Sequence, residues 1–351
     1  MDTAASLTTV DHGGGGGTTI SAVHPDILQT HILTRLDGPT LASAASTSSQ
    51  LCALSSQDHL WRYICNDKWP STAHPRVRRL ISSFPSAHRS FFSDSFPSLD
   101  HRHPLRRSPP NRRRTPPPPS QLFSAVDLHY QTKPVLSKAL ATETITGLML
   151  GADFRIDLLD PKETVPMPVN LDFRDDTCES DLEENLTLSW IVIDPVRNRA
   201  ANFSSFRPVS VDRNWLTGDI ELRYVTVLSG DRRGEVLQCC AIVTCGGREG
   251  GGLDVREVSL QVEDMEGKNL GWEESLVILL EAVEGGKRRI GKRGEEKEGY
   301  EMCLKMKKER SERKKRRQKR LEVASIVTAV TIFVAFWVFV VIRILQFLHL
   351  V

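Results

Sequence analysis

Residues 23–69 of the 351 read VHPDILQTHILTRLDGPTLASAASTSSQLCALSSQDHLWRYICNDKW, a run that predicts three short helices in succession. Pro25 stands where a first helical turn tolerates it, and Asp26 follows in that turn. Leu28, Ile32 and Leu36 recur at i, i+4 and i+8, with Ile27 and Leu33 beside them. Asp37-Gly38-Pro39 ends this helix and starts the next, because Gly and Pro punctuate the chain and Pro is again accepted in a first turn. Leu41, Ala44, Ala45 and Ser48 give the second helix a face of small residues. After Ser55-Ser56, Asp58 can cap a third helix with Leu60, Trp61, Ile64 and Cys65 on its apolar side. So small a bundle buries too little surface to be comfortably stable alone, so its surplus apolar residues imply a partner.

Taken together, His24-Pro25-Asp26-x-Leu28-x3-Ile32-Leu33-x2-Leu36, then Pro39-x-Leu41, then Leu60-Trp61, resembles an F-box. That family's pattern opens Leu-Pro-x-Glu, continues as an apolar helix ending in Leu, and closes with Leu-Trp; it aligns here without gaps. The resemblance implies a three-helix module that docks on the adaptor subunit of SCF-type cullin–RING ubiquitin ligases and through it reaches the cullin and RING subunits. It implies adaptor-binding roles for Pro25, Ile27, Leu28, Ile32, Leu33, Leu36, Pro39, Leu41, Leu60 and Trp61. The chain departs from the pattern at His24, where Leu is usual, at Ile27, where Glu is common, and at Thr47 and Leu51, usually Val and Trp. These departures bear on affinity more than on fold. With its Trp69-Pro70-Ser71-Thr72 extension and an apolar C-terminus, the whole is most similar to plant F-box proteins.

Outward from the module, Val77, Leu80, Ile81, Phe84, Phe91, Phe92, Phe96 and Leu99 predict a helical extension over 70–99, packed behind it. Residues 100–120 turn to Arg and Pro, with RRSPPNRRRTPPPP at 106–119, an extended spacer. On the other side, residues 1–20 lack a basic region followed by an apolar one, so no secretory leader is expected there. Gly13–Gly17 is flexible material, and the segment is expected to be disordered.

Residues 121–284 hold β-branched and aromatic runs at 186–193 (LTLSWIVI), 220–228 (IELRYVTVL), 235–244 (EVLQCCAIVT) and 255–262 (VREVSLQV). Asp194-Pro195, Ser229-Gly230-Asp231 and Gly246-Gly247 punctuate them, which predicts an all-β, sandwich-like domain of six to eight strands. Residues 264–271 (DMEGKNLG) read as a hairpin loop. Residues 274–282 (ESLVILLEA) fit a closing strand or a short helix, between which periodicity does not decide.

Chemistry is sparse in this region. It carries no P-loop, HExxH, nucleophile elbow or Rossmann glycine pattern, and His129 is its one histidine. The acidic run Asp172, Asp175, Asp176, Glu179, Asp181, Glu183, Glu184 lacks the Gly and closing Glu of a calcium loop and reads as a solvated loop. Cys239-Cys240-x4-Cys245 matches no common zinc spacing, and seven scattered cysteines without a CxxC pair agree with a reducing compartment. Trp190, Trp215 and Trp272 are expected in the core, with a ligand face of the lectin kind as the alternative. No cofactor, metal or catalytic residue is expected.

The C-terminus is apolar without a break. Residues 323–342, VASIVTAVTIFVAFWVFVVI, carry no charge, Pro or Gly, and as a helix would span about 30 Å, the thickness of a bilayer's hydrocarbon core. Residues 305–320 before it hold eleven Lys/Arg and two Glu, ending with Lys314, Lys315, Arg316, Arg317, Lys319 and Arg320; the last nine residues hold one Arg. This bias predicts a single-pass, tail-anchored span with the bulk in the cytosol, on the endoplasmic reticulum or another cytosol-facing membrane. The cationic cluster is then a lipid-facing anchor and not a nuclear import signal. Residues 285–320 are expected to be a basic, disordered juxtamembrane segment.

The net charge of +2 hides three unequal blocks. Residues 1–120 have 13 basic and 8 acidic side chains (+5), 121–284 have 15 and 29 (−14), and 285–351 have 18 and 7 (+11). A domain at −14 does not hold nucleic acid by neutralising phosphates, so no nucleic-acid partner is expected. The sequence therefore predicts a multidomain chain: a small all-α three-helix F-box, an all-β sandwich-like domain and a single C-terminal transmembrane helix. Its predicted role is to recruit an unknown target protein to the ligase from a lipid bilayer, without catalysis of its own. A membrane-tethered ligand-binding (lectin-like) β-domain and a membrane-bound transcription regulator are the rival readings.

Overall fold

The computed structural model describes residues 23–100, 119–144, 151–168, 173, 175, 177–229, 236–248, 251–291 and 294–348. The expected disordered N-terminus, nearly all of the Arg/Pro-rich linker and the end of the short tail lie outside these residues. The chain divides into two compact units between Ser93 and Asp94.

The first unit is helical. Its opening helix, α1, is irregular: an α turn at Pro25–Ile27, a wide π turn at Leu28–Ile32 and a tight 3-10 turn at Leu33–Arg35. His24 Nδ1 caps it by accepting the Asp26 N–H at 3.3 Å. The hydroxyls of Thr30 and Thr34 donate to carbonyls four residues back, at 2.6 and 2.8 Å, a competition with the backbone ladder that bends helices. The second expected helix is divided into α2 (Gly38–Ala45) and α3 (Ser49–Ser55). Ser46 and Thr47 turn their hydroxyls back onto the carbonyls of Ser43 and Ala44, and Ser48 Oγ caps α3 by accepting the Leu51 N–H at 3.2 Å. Helix α4 (Asp58–Lys68) follows, then α5 (Pro75–Ser82) and α6 (Ala87–Ser95). Trp61 tilts against Phe92 with ring centroids 5.3 Å apart, and Trp69 stands edge-on to Phe91 at 5.8 Å. Val77, Ile81 and Phe84 are buried as well, so the predicted extension is core and not a free surface.

The second unit is mostly antiparallel sheet. Strand β1 (Ser98–Leu99) pairs with β12 (Arg288–Arg289). A four-stranded sheet runs in the order β3 (Lys133–Glu143), β2 (Gln121–Tyr130), β6 (Leu186–Asp194), β7 (Arg199–Asn202). A six-stranded sheet runs β4 (Arg155–Asp157), β11 (Leu253–Glu263), β10 (Val236–Gly247), β9 (Ile220–Ser229), β8 (Ser210–Arg213), with β5 (Val165–Pro166) also on β11. Leu188, Trp190 and Val192 of the first sheet share one core with Leu222, Tyr224, Ala241, Val243 and Leu260 of the second. The Tyr224 hydroxyl donates to the Leu186 carbonyl at 3.2 Å, bonding one sheet to the other.

Among the described residues, three helices complete this unit. The acidic run expected as a loop is helical from Glu179 to Glu184, within α7 (Thr177–Asn185), because Cys178 and Leu182 supply a buried stripe. The ambiguous segment is a helix, α8 (Trp272–Gly285), whose Leu276, Leu279, Ala282 and Val283 enter the main core. The last helix, α9 (Glu295–Leu348), is 54 residues long and corrects the expected disorder of 285–320. Its first turns dock on the second sheet: Tyr300 packs with Val209, Val225 and Cys240, and Gln238 Nε2 donates to Cys303 Sγ at 2.9 Å. Trp190 and Trp272 are buried as predicted, but Trp215 is not; it stands in solvent.

Candidate functional site

The structure sorts the ten expected adaptor-binding residues into three groups. Leu28, Leu33, Leu41, Leu60 and Trp61 lie inside the module's own core. Trp61 Nε1 donates to the Ser55 carbonyl at 2.7 Å, so this tryptophan ties α3 to α4. Pro25, Ile27 and Ile32 face solvent, with Ile27 50% and Ile32 44% exposed, while Leu36 and Pro39 are half-buried. One helical stretch therefore anchors itself through Leu28 and Leu33 and offers Ile27 and Ile32 outward. The wide turn at Leu28–Ile32 spaces these residues differently from a regular helix, and such turns recur at functional sites.

Beside the end of α1 lies a hollow of about 550 Å³ lined by Leu33, Thr34, His59, Leu60, Arg62, Tyr63, Ile64 and Asn66. Tyr63 is 63% exposed at its rim. It is not among the expected residues, although an aromatic between Trp61 and Cys65 on the outer side of an amphipathic helix is a readable signal. Asp37 caps α2, and hydrogen bonds from the Thr40 side chain and backbone hold its carboxyl below the usual carboxylate value.

In the second unit the acidic residues are engaged in structure. Asp181 accepts the Tyr130 hydroxyl at 2.6 Å, and Glu179 pairs with Arg213 at 2.7 Å. Burial, and then the Asp181 bond, push the Tyr130 phenol up to about 12. Among the described residues no group of three or more His, Cys, Asp or Glu could hold a metal ion. Cys239, Cys240 and Cys245 are all buried, the small core hydrophobes that their apolar run implied.

Helix α9 carries the cationic cluster and the apolar stretch on one continuous rod. Lys314, Lys315, Arg316, Arg317, Lys319 and Arg320 occupy two turns and point around every side of it. From Val323 to Ile342 the helix is long and apolar enough to cross a membrane, and none of its most apolar window is buried.

The F-box-like family profile matches residues 25–67, the segment that forms α1 to α4. The chain is 44% identical over 307 residues to the Arabidopsis thaliana F-box protein At2g27310, covering 83% of this chain and 87% of that one. It is 42% identical over 313 residues to the F-box protein At3g44326 of the same plant, covering 87% and 84%. A third Arabidopsis relative, the probable F-box protein At2g36090, is 45% identical over 277 residues, covering 79% and 78%. No solved structure matches the chain.

Proposed function

The chain belongs to the F-box proteins, and from that membership we propose that it is a substrate-recruiting subunit of an SCF-type ubiquitin ligase, tail-anchored in a membrane with its bulk in the cytosol. The observation that carries the reading is the apolar face of α1: Pro25, Ile27 and Ile32 stay uncovered while their neighbours Leu28 and Leu33 build the core. Leaving two isoleucines about half in water forgoes on the order of 1 kcal/mol each, roughly half of a full burial, which an adaptor surface would recover. Pro25, Ile27 and Ile32 would touch the adaptor directly, with Leu36 and Pro39 at the margin. Leu28, Leu33, Leu41, Leu60 and Trp61 would hold that face in shape.

Neither unit would perform chemistry. The helical module would bring the adaptor, cullin and RING subunits, and the β-rich unit would bring a target protein. Holding both on one chain raises the target's effective concentration at the ligase, so that ubiquitin transfer becomes effectively intramolecular. Residues 323–342 would lie in the bilayer. The cations at 314–320 would ring the helix at headgroup level, each contributing about 1 kcal/mol beside anionic lipid.

Expression of the tagged full chain in cells tests the reading. It is expected to coprecipitate the adaptor and the cullin, and to stay with membranes through alkaline extraction. Removing residues 321–351 should release it to the soluble fraction with the adaptor still bound. A full chain that brings down no cullin refutes the ligase role, and one that is extracted by alkali refutes the anchor.

A further inference from the structure

Trp215 is 92% exposed and its neighbour Leu216 75%; no large apolar side chain among the described residues is more exposed than Trp215. The two stand at the tip of the β8–β9 hairpin, and the tip is rigidly built. Asn214 Oδ1 accepts the N–H groups of Leu216 and Thr217 at 2.9 and 3.3 Å, and Thr217 Oγ1 accepts that of Asp219 at 3.2 Å. The Gly218 N–H donates to the Asn214 carbonyl and the Asn214 N–H to that of Asp219, both at 2.8 Å. Gly218 closes the turn at φ +77°, which favours glycine. A backbone held in this way has little order left to lose when the tip docks.

Behind Trp215 lies a hollow of about 450 Å³ lined by Asp212, Arg213, Glu221, Arg223 and Tyr300 among others. Its cations are engaged: Arg213 with Glu179 at 2.7 Å and over the Phe173 ring, Arg223 with Glu221 at 2.9 Å and Glu263 at 3.5 Å. Asp212 is exposed and accepts the Ser210 hydroxyl. Asp212, Glu221, Glu179 and Glu263 thus outnumber the two guanidiniums they surround, in a domain that is itself strongly acidic.

We propose that the β8–β9 tip is a docking surface for the target protein, and that it takes an extended segment whose apolar side chains are flanked by Lys or Arg. Trp215 and Leu216 pack on its apolar side chains, and the exposed Asp212 faces its cations. This rests on the reading of the β-rich unit as the target-binding part. A bilayer is the rival occupant for an exposed Trp-Leu pair, and the course of α9 opposes it. From Tyr300, beside Val225 and Cys240, α9 passes Gln238 at Cys303 and Met265 at Arg310. It moves toward the end of β9 and β10 opposite the hairpin, where Val227 pairs with Gln238, and away from Ile220, which pairs with Arg213. A membrane met by residues 323–342 lies beyond that far end, and the acidic surroundings of Trp215 repel anionic lipid besides.

The test uses the full chain reconstituted in phosphatidylcholine nanodiscs. It is titrated with short labelled peptides that pair Leu and Phe with Lys and Arg, and with the same peptides carrying Glu for each cation; binding of the purified adaptor is measured in parallel. The basic set is expected to bind at least about tenfold more tightly than the acidic set. Trp215→Ala and Leu216→Ala should each weaken it about tenfold or more, as central interface anchors do, and Trp215→Phe should restore most of the loss. Adaptor binding should be the same in every variant. In vesicles of brominated lipid, the emission lost on Trp215→Phe should be unquenched. Binding that ignores Trp215→Ala, a preference for the acidic set, binding of neither set, or bromine quenching of Trp215 would each overturn the proposal. Failure of the unaltered chain to bind the adaptor counts against the ligase reading alone and leaves the hairpin result to stand by itself.

Discussion

The Asp58 carboxylate grips His88 twice, accepting its backbone N–H at 3.0 Å and lying 2.9 Å from its Nδ1. Asp58 opens α4 and His88 lies in the first turn of α6, so this pair fastens the helical extension to the module. The His88 side chain is almost wholly enclosed. Asp58→Ala strands both donors and should cost about 1–3 kcal/mol of local stability. Amide exchange over residues 75–95 should accelerate while the β-rich unit stays protected, and Asp58→Asn should recover part of the loss.

Gly38 has no room for a side chain. A Cβ built there would meet the Phe92 ring at 2.1 to 2.7 Å, so Gly38→Ala must displace an aromatic packed against Trp61. Overpacking of this kind costs about 1–3 kcal/mol, and thermal melting should show it. Pairing Gly38→Ala with Phe92→Leu should recover part of the stability if the ring is the obstacle.

Acid should loosen the start of α2 through Asp37. Its carboxyl sits below the ordinary value because Thr40 hydrogen-bonds its charged form. The stabilisation is therefore complete above the unfolded carboxylate value and is lost as pH falls through the depressed folded one. Asp37→Asn keeps a cap and removes that titration, so its melting temperature should vary less with pH on the acid side than that of the unaltered chain.

Thiol chemistry gives a check on packing in both units. All seven cysteines are free, and Cys52 alone is exposed. Burial pushes the thiols of Cys65, Cys178, Cys239, Cys240 and Cys245 up, that of Cys245 to about 12, which withholds the reactive thiolate. Iodoacetamide on the native chain should leave one adduct, on Cys52, by mass spectrometry. Adducts on Cys239 or Cys240 without denaturant would contradict the buried sheet.

The sequence disclosed those elements whose side chains follow one strong pattern. LTLSWIVI at 186–193 became β6, buried along its whole length, and the opening helix showed itself through Leu28 and Leu33. The β2–β3 hairpin escaped notice because Ser124, Asp127, Lys133 and Lys138 dilute its strands and its turn uses Gln131 at φ +55° instead of a Gly. Charge surrounds the early turns of α9 and hides the helix in the sequence, yet Tyr300 and Cys303 sit three apart on one face and cover a sheet. Trp215 was assigned inward by residue type, and only the turn that carries it shows otherwise. In the candidate site, spacing predicted the α1 helix but not the division between outward Ile27 and inward Leu28, which its uneven winding sets.

On the proposed reading, the outward isoleucines of α1 meet the ligase adaptor while the inward leucines hold them in place. Calorimetric titration of the full chain with purified adaptor tests it most directly. Ile27→Asp and Ile32→Asp should each weaken binding by about tenfold or more with the melting temperature unchanged. Leu28→Ala and Leu41→Ala should instead cost about 2–5 kcal/mol of folding stability. Undiminished binding by both isoleucine variants, or no binding by the unaltered chain, would rule this out.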